Sequence, residues 1–376
     1  MTSAYSRLSV VTVIAVLVAL VVPQVAGDTG SVPVVRDVAR AAPVELAAKG
    51  AGRHPSVGVV DHALWGDRTM RQRREMLRKI AGANARWVRI GLPWALVQPH
   101  KPSSRNGGWT TWAFDRVDAV VRAARRNGMQ VSMTLVGTPK WANGGRGDKY
   151  LPDNPKTYGR AIGRLAKRYR GKVGSWEIWN EANHTNYLKG ATVREYKQVL
   201  CAAHPAVKRN APGAKVLSAG TAGVDVDWIR KLYQLGGKRC FDVLAVHPYT
   251  GGRSPHYSWN GGTPRWLAEL HQMRKVMRRH GDAHTRVWFT EFGYSTFANR
   301  AEGGVSRRQQ AKWMVEMIKM TDRRLPYVTR MSVYMSRDER IPDIKRNRHY
   351  GLYTYKMKPK RSARALKRYL ARADGR

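Results

Sequence analysis

The sequence predicts an α/β protein in which eight strand–helix units close into a (β/α)8 TIM barrel. From about residue 53 onward, short apolar runs alternate with amphipathic segments. The apolar runs are rich in Val, Ile and Trp and lack strict polar–apolar alternation, as expected for parallel strands covered on both faces. The length of residues 53–376 also fits the roughly 250 residues plus loop insertions that such a barrel needs. We therefore expect one domain over 53–376.

The elements follow from these patterns and from local stop signals. The predicted strands are residues 57–60, 85–90, 130–135, 174–179, 215–219, 243–246, 286–290 and 331–334. The predicted helices are residues 69–82, 114–127, 157–169, 193–210, 227–235, 264–280, 307–321 and 362–371. Asn127-Gly128, for example, is a helix-terminating pair. A doubly wound sheet is the alternative, but it favours a Gly-rich turn after the first strand, where Asp61-His62 stands instead.

The N-terminus resembles an export signal. Arg7 precedes an apolar run over residues 8–22, and small residues follow around 25–27. This pattern predicts a secretory signal peptide over 1–27. The run is shorter than the roughly 20 residues that span a bilayer, and an uncleaved anchor is the alternative. Residues 28–52 are predicted as a linker, and the protein is expected to be secreted or held at the cell surface.

Composition limits the partners. The formal net charge is +42, with 68 Lys and Arg against 26 Asp and Glu. Such a charge has two possible meanings. The basic surface attracts an anionic polymer, or the composition of the solvent-exposed outer helices is simply rich in Arg. Cys201 and Cys240 are the two cysteines. They form a disulfide or remain as two thiols, because separation in sequence does not fix separation in space.

Two glutamates stand where a barrel enzyme carries its chemistry. Glu181 follows the fourth strand and Glu291 ends the seventh, so both should lie at the barrel mouth. Glycoside cleavage needs a carboxylic acid to protonate the leaving oxygen and a carboxylate that faces the anomeric carbon. Asn180 adds an amide for a sugar hydroxyl. Glu177 should point into the barrel, where a buried carboxylate requires a partner such as Arg89.

Aromatic residues near the strand ends are candidates for sugar binding. Trp94, Trp141 and Trp179 could each offer a flat face to a pyranose ring, or could equally fill the core.

These motifs resemble those of clan A glycoside hydrolases. Residues 176–181, Trp-Glu-Ile-Trp-Asn-Glu, resemble their fourth-strand motif, and residues 290–293, Thr-Glu-Phe-Gly, resemble their seventh-strand nucleophile motif. Arg89, His247-Pro248-Tyr249 and Gly351-Leu352 also match. The similarity covers nearly everything from residue 55 onward. The sequence resembles above all family 39 and cellulase-like family 5, especially the bacterial glycosidases that act on exopolysaccharides.

The resemblance implies roles for single residues. Glu181 would be the acid/base and Glu291 the nucleophile of a retaining β-glycosidase, and Asn180 would bind the sugar 2-hydroxyl. Tyr249 or Tyr294 would hydrogen-bond Glu291. Arg89 would support that carboxylate from below, and His247 would contact the substrate or the nucleophile.

Three positions depart from the family pattern. Ala182 stands where the family usually has Pro, Tyr294 where Trp is common, and the eighth strand ends near Tyr334 without the usual Trp. The catalytic pair is intact, and the subsite contacts are left open.

The sequence thus predicts an exported, endo-acting O-glycosyl hydrolase of a polysaccharide or oligosaccharide, neutral or anionic. We expect a monomer without cofactor or metal. A non-catalytic carbohydrate- or wall-binding barrel and a transglycosylase are the alternatives.

Nucleic acid is not an expected partner, because the basic residues are dispersed and no binding motif is recognised. No membrane contact is expected beyond the N-terminal segment. The glycan is not determined, because loops build the subsites.

Overall fold

Eight parallel strands build the core of the computed structural model, which describes residues 55–66, 68–339 and 349–373. The strands are β1 Ser56–Val60, β2 Trp87–Pro93, β3 Gln130–Val136, β4 Ser175–Ile178, β5 Lys215–Leu217, β6 Val243–His247, β7 Arg286–Phe292 and β8 Val328–Val333. A two-residue strand, Thr221–Ala222, also pairs with β6. The predicted signal peptide (1–27) and linker (28–52) lie outside the described residues and stay predictions.

The sheet closes on itself. Gly58 of β1 pairs with Trp87 of β2 and with Ser332 of β8. Leu217 of β5 pairs with Val243 of β6, which completes the ring. The fold is therefore a (β/α)8 barrel with a single catalytic domain, as predicted, and the doubly wound alternative is excluded.

A helix follows each strand. These helices are α1 Met70–Gly82, α2 Thr111–Arg126, α3 Pro155–Arg168, α4 Val193–Asn210, α5 Val226–Gln234, α6 Arg265–Arg279, α7 Arg307–Arg324 and α8 Arg361–Ala373. A single α-helical turn, Trp94–Val97, also lies between β2 and α2. Three of them begin with a capping box, in which a hydroxyl residue and a Glu or Gln three positions later bond each other's backbone. These pairs are Thr69 with Gln72, Thr192 with Glu195 and Ser306 with Gln309.

The barrel interior is aromatic below its mouth. The rings of Trp87 and Trp288 lie 5.8 Å apart, and the Arg330 guanidinium lies 4.4 Å from the Trp288 ring. Gly58 provides the space, because a Cβ there would lie 2.6 Å from the Trp87 ring. The next inward residues along β2 and β4 are Arg89 and Glu177, so the interior becomes polar toward the mouth.

A disulfide joins Cys201 on α4 to Cys240, just before β6. The sequence left this pairing open. A cross-link over a separation of 39 residues stabilises the fold by about 4 kcal/mol in the chain-entropy view. Among the described helices, none combines the length and hydropathy needed to cross a membrane.

Candidate active site

The candidate residues meet at the carboxyl ends of the strands. Arg89 lies on β2, Glu181 follows β4, His247 ends β6 and Glu291 lies near the end of β7. The ligating atoms of Glu181, His247 and Glu291 all lie within 4.8 Å of one another. All three side chains are buried. Strands distant in the sequence thus bring two carboxylates to one small volume.

The backbone after β4 adopts an unusual conformation that positions Glu181. Trp179 and Glu181 have φ angles of 72° and 46°, a left-handed region that side chains other than Gly rarely occupy. Such residues cost about 1–3 kcal/mol each and persist where the surroundings hold them. Here the Glu181 amide donates to the Gly220 carbonyl at 2.9 Å. Asn183 adds bonds to both backbone groups of Ala222, at 2.8 and 3.1 Å.

Arg89 is the cation beneath the site. Its Nε donates to Glu177 Oε2 at 2.5 Å, its Nη1 to Glu291 Oε1 at 2.6 Å and its Nη2 to Asn180 Oδ1 at 2.8 Å. Burial opposes the charge of Arg89, but Glu177 and Glu291 outweigh it and raise the Arg89 pKa. One guanidinium therefore fixes three acceptors, including the amide next to Glu181.

Glu291 is held as a carboxylate. Besides Arg89 on Oε1, the Tyr249 hydroxyl donates to Oε2 at 2.8 Å. Burial alone would raise the pKa of Glu291, but the charges of His247 and Arg89 and the Tyr249 hydrogen bond lower it below its usual range. An ionised, desolvated carboxylate with both oxygens oriented is suited to nucleophilic attack.

His247 links Glu181 to the barrel interior. Its Nδ1 lies 2.8 Å from Glu181 Oε1, and its Nε2 lies 3.0 Å from Thr290 Oγ1. The single Thr290 hydroxyl proton goes to Glu177 Oε1 at 2.8 Å. The Thr290 oxygen must therefore accept a hydrogen bond from His247, so Nε2 of the imidazole carries a hydrogen. On the other side, His247 Nδ1 and Glu181 share one proton.

The protonation of His247 reflects its neighbours. Burial disfavours the charged imidazole, but the negative charges of Glu291 and Glu181 outweigh this effect and raise the pKa of His247. The imidazole of His247 therefore keeps its second proton to a higher pH than an ordinary histidine does.

Glu177 is a buried partner, as its strand parity predicted. It is fully buried and accepts from Arg89, from the Thr134 hydroxyl at 2.6 Å and from the Gly220 amide at 3.1 Å. These donors, with Thr290, compensate the loss of water that a buried carboxylate requires. Glu177 orients Arg89 and Thr290 and is covered by them.

The tryptophans differ in exposure. Trp94 and Trp179 are 0% and 1% exposed, and their rings pack 5.5 and 6.5 Å from the Tyr158 ring. In this structure both fill the core, one of the two alternatives that the sequence left open. Trp141 is half-buried and donates from its indole to the Gln98 carbonyl at 2.9 Å. Of the three, Trp141 is the one that is not fully buried.

The two tyrosines offered for Glu291 also differ. Tyr249 makes the hydrogen bond. Tyr294 is buried, and its hydroxyl lies 3.9 Å from the Met317 sulfur. Tyr294 thus belongs to the packing beneath α7 rather than to the nucleophile.

Sequence reasoning missed one side of the mouth. His62, directly after β1, places Nδ1 2.9 Å from Glu339 Oε1, and its ring lies 5.6 Å from the Tyr334 ring. Tyr350 lies 5.5 Å from Tyr334 and 5.7 Å from Tyr249, ring to ring. The position of His62 directly after a predicted strand could have indicated that it lies at the barrel mouth. Glu339 and Tyr350 lie on a long connection without a pattern.

The same three groups could hold a metal ion in chemical terms, since two carboxylates and an imidazole are common ligands. Both oxygens of Glu291 are already engaged by Arg89 and Tyr249. The independence of this site from metal stays a prediction.

Comparison with solved structures relates the fold to glycoside hydrolases. A family 39 glycoside hydrolase from the gut symbiont Bacteroides cellulosilyticus WH2 superposes with a TM-score of 0.67 at 19% identity, over 85% of this chain and 64% of that chain. A GH5_18 enzyme from Streptomyces cattleya, in complex with GlcNAc, gives 0.65 at 20% identity over 86% and 81%. A GH5_18 enzyme from Bifidobacterium longum subsp. longum ATCC 55813 gives 0.67 at 14% identity over 86% and 80%. The likeness shows the fold alone, and this chain spans less than two thirds of the family 39 enzyme.

Sequence comparison is more specific. Residues 46–329 match the profile of Cellulase (glycosyl hydrolase family 5). No curated protein sequence is significantly similar to this chain. The profile match spans most of the chain, and the barrel has the closed topology that the resemblance implied. The chain therefore belongs to the cellulase family, glycosyl hydrolase family 5, within the clan A (β/α)8 glycoside hydrolases.

Proposed function

We propose that this protein is an exported retaining glycoside hydrolase that cleaves a polysaccharide, with Glu181 as acid/base and Glu291 as nucleophile. One observation carries the proposal: oxygens of Glu181 and Glu291 lie within 4.8 Å of each other at the barrel mouth. Retaining enzymes keep their carboxyl groups about 5–5.5 Å apart, whereas inverting enzymes need about 6.5–9.5 Å to admit a water. The short separation supports direct attack by Glu291.

In the first step, Glu291 attacks the anomeric carbon and forms a glycosyl ester as the glycosidic C–O bond breaks. The leaving oxygen takes the proton that Glu181 shares with His247, 2.8 Å away. Arg89 and Tyr249 keep Glu291 ionised and oriented before attack. As negative charge leaves Glu291, these donors lose part of their attraction, so the intermediate stays labile.

In the second step, a water replaces the departed sugar. Glu181 removes its proton, the oxygen attacks the anomeric carbon, and Glu291 leaves as a carboxylate. Two displacements on opposite faces return the original anomeric configuration.

Asn180 is suited to hold the sugar 2-hydroxyl. Its Oδ1 accepts from Arg89 at 2.8 Å, which assigns the amide orientation and leaves the NH2 group free to donate. A hydrogen bond to the 2-hydroxyl that tightens in the transition state lowers the barrier.

The direct experiment is a hydrolysis screen with paired variants. Wild type should release sugar from at least one member of a panel of neutral and uronic-acid-containing polysaccharides. The panel should include the disaccharide Manβ1-4GlcNAc, because a GH5_18 enzyme of Streptomyces cattleya was solved with Manb1-4GlcNAc. Glu291→Ala should lose on the order of 10⁴-fold or more in kcat. Glu181→Ala should lose about 10²–10⁴-fold on poor leaving groups and much less on activated aryl glycosides.

The same screen separates the other functions. A non-catalytic binding protein would hold saccharide without turnover, and Glu291→Gln would change nothing. A transglycosylase would transfer the sugar to an added acceptor in preference to water. Early appearance of long oligosaccharides would support endo action, whereas release of single sugars alone would oppose it.

Export rests on the N-terminal pattern and on the Cys201–Cys240 disulfide, a bond that persists in oxidising compartments. Intact-mass analysis of the protein from culture medium should find a mature N-terminus near residue 28 and two hydrogens fewer than the dithiol. A chain found only in the membrane fraction that keeps residue 1 would instead support the anchor.

A further inference from the structure

A groove runs along the outside of the barrel between α7 and α8, with a volume of about 850 Å³. Every residue that lines it lies on one of these two helices, and none is a residue of the barrel mouth. Its volume is in the range of ligand sites, about 300–1,000 Å³. The groove is therefore a second concave surface, separate from the candidate active site.

The α8 side of the groove carries a line of arginines. Arg361, Arg364, Arg368 and Arg372 recur at intervals of three or four residues, are all exposed, and all line the groove. This spacing places them on one face of the helix. At 1.5 Å per residue, the line is about 16 Å long.

The α7 side adds three exposed cations, Arg308, Lys312 and Lys319. One carboxylate, Glu316, lines the groove between them, and it lies 3.8 Å from Lys312 and 3.7 Å from His256. Across residues 55–66, 68–339 and 349–373, the other six groove cations have no ion-pair partner. Like charges at these helical spacings repel each other. The groove thus holds positive charge that a polyanion would compensate.

The groove floor is different in character. It is made of half-buried Ala311, Val315, Ala365 and Tyr369. Small apolar side chains beside one aromatic ring suit the C–H faces of sugar rings, while the cationic rims suit their carboxylates.

Two other polyanions fit less well. Single-stranded nucleic acid is bound through several aromatic platforms, and the groove offers only the half-buried Tyr369. A membrane surface favours exposed large apolar groups beside the cations. The exposed large hydrophobic residues of the described chain are Trp65, Trp112, Tyr187 and Trp259, and none lines the groove.

We propose that the α7–α8 groove binds a carboxylate-bearing polysaccharide, a uronic-acid polymer, as a secondary site that holds the enzyme on its substrate or wall matrix. The preference for a polysaccharide over other polyanions rests on the proposed glycosidase function. The electrostatic argument for the groove does not.

The test is direct binding of fluorescently labelled polygalacturonate, measured by anisotropy at low and high salt. The Glu291→Ala background is used so that binding is scored without turnover. In it, Arg364→Glu/Arg368→Glu reverses two groove charges. The control, Lys275→Glu/Arg279→Glu, makes the same reversal at the same i,i+4 spacing on exposed residues of α6.

We expect the groove variant to raise Kd by about tenfold or more, equivalent to about 1.4 kcal/mol. The control should change Kd by less than about twofold, and added salt should weaken the wild-type complex because exposed charges are screened. Equal weakening by both variants would overturn the proposal in favour of a general surface charge effect. Groove-dependent binding of a single-stranded DNA oligonucleotide or of phosphatidylglycerol vesicles that exceeds binding of polygalacturonate would also overturn it. Failure of the hydrolysis screen alone leaves this binding result standing, so the two proposals fail separately.

Discussion

The His247 imidazole lies 2.8 Å from Glu181 Oε1 and 3.7 Å from Glu291 Oε2, so one ring from β6 serves both carboxylates. On one side it shares a proton with Glu181. On the other, its positive charge contributes to the low pKa of Glu291. Two chemically identical side chains therefore take different roles, because the same ring shares a proton with Glu181 and stabilises the negative charge of Glu291.

His247→Ala should lower kcat/KM by about 10²-fold, since proton transfer in the transition state contributes at least that much. The acid limb of the pH–rate profile should also move to higher pH, because Glu291 loses a charge that lowers its pKa. Thr290→Val is the matched control, since it keeps the imidazole and removes the Nε2 acceptor together with one hydrogen bond to Glu177. It should have the smaller effect. An unchanged acid limb in His247→Ala would contradict this role.

Tyr249→Phe isolates one hydrogen bond to the nucleophile. Without the hydroxyl on Oε2, the pKa of Glu291 should rise, so activity should be lost sooner as pH falls. Because Glu291 has a lowered pKa in the fold, its ionised form contributes stability that is present above its unfolded pKa and lost as pH falls through the folded value. The variant should therefore be less stable than wild type at pH 7, and the difference in stability between the two proteins should be smaller in acid.

Tyr294→Phe is the control for this experiment, because its hydroxyl faces Met317 instead. Chemical unfolding at pH 7 and pH 4, together with a kcat/KM profile, gives both readouts. If Tyr294→Phe moved the acid limb as much as Tyr249→Phe, the hydrogen bond would not be the cause.

Arg89→Met should be strongly destabilising. The change leaves Glu177 and Glu291 without their shared cation, and breaking a buried ion pair from one side costs about 3–5 kcal/mol. Arg89→Lys keeps the charge but cannot reach three acceptors at once, so its free energy of unfolding should lie between those of wild type and Arg89→Met. Urea unfolding of the three proteins measures these free energies. A free energy of unfolding for Arg89→Met equal to that of wild type would contradict the role of Arg89 as the common partner.

Gly220→Ala should damage the site through sterics alone. A Cβ at this position would overlap His247 Nε2 and would lie 2.6 Å from the Thr290 hydroxyl. Overpacking of this kind costs about 1–3 kcal/mol, and here it would also displace the imidazole. Gly213→Ala, with open space around its Cβ, is the matched control and should be neutral. Equal activity and melting temperature for the two variants would show that the site tolerates the shift.

The sequence predicted the barrel well because eight apolar runs, each followed by a helical period, admit few arrangements. It also located Glu181 and Glu291, since the carboxyl ends of parallel strands meet at one face. It could not decide whether Trp94 or Trp179 face solvent, because a tryptophan after a strand has the same local pattern in a core and in a binding site.

Contacts made across the fold were also beyond the sequence. The bond between Asn183 and Ala222 joins the ends of two strands, and the His62–Glu339 pair joins positions 277 apart. The α7–α8 groove likewise exists only because the closed ring places the last two helices side by side. Such relations depend on three-dimensional packing and leave no periodic signal in the chain.

The most direct test of the catalytic assignment is the anomeric configuration of the first-formed product, followed by proton NMR on the polysaccharide or disaccharide that wild type cleaves. Direct attack by Glu291 predicts that the new reducing end appears first in the configuration of the bond that was cleaved, before mutarotation. First appearance of the opposite anomer would contradict the account, since it would mean that water, not Glu291, attacks the sugar.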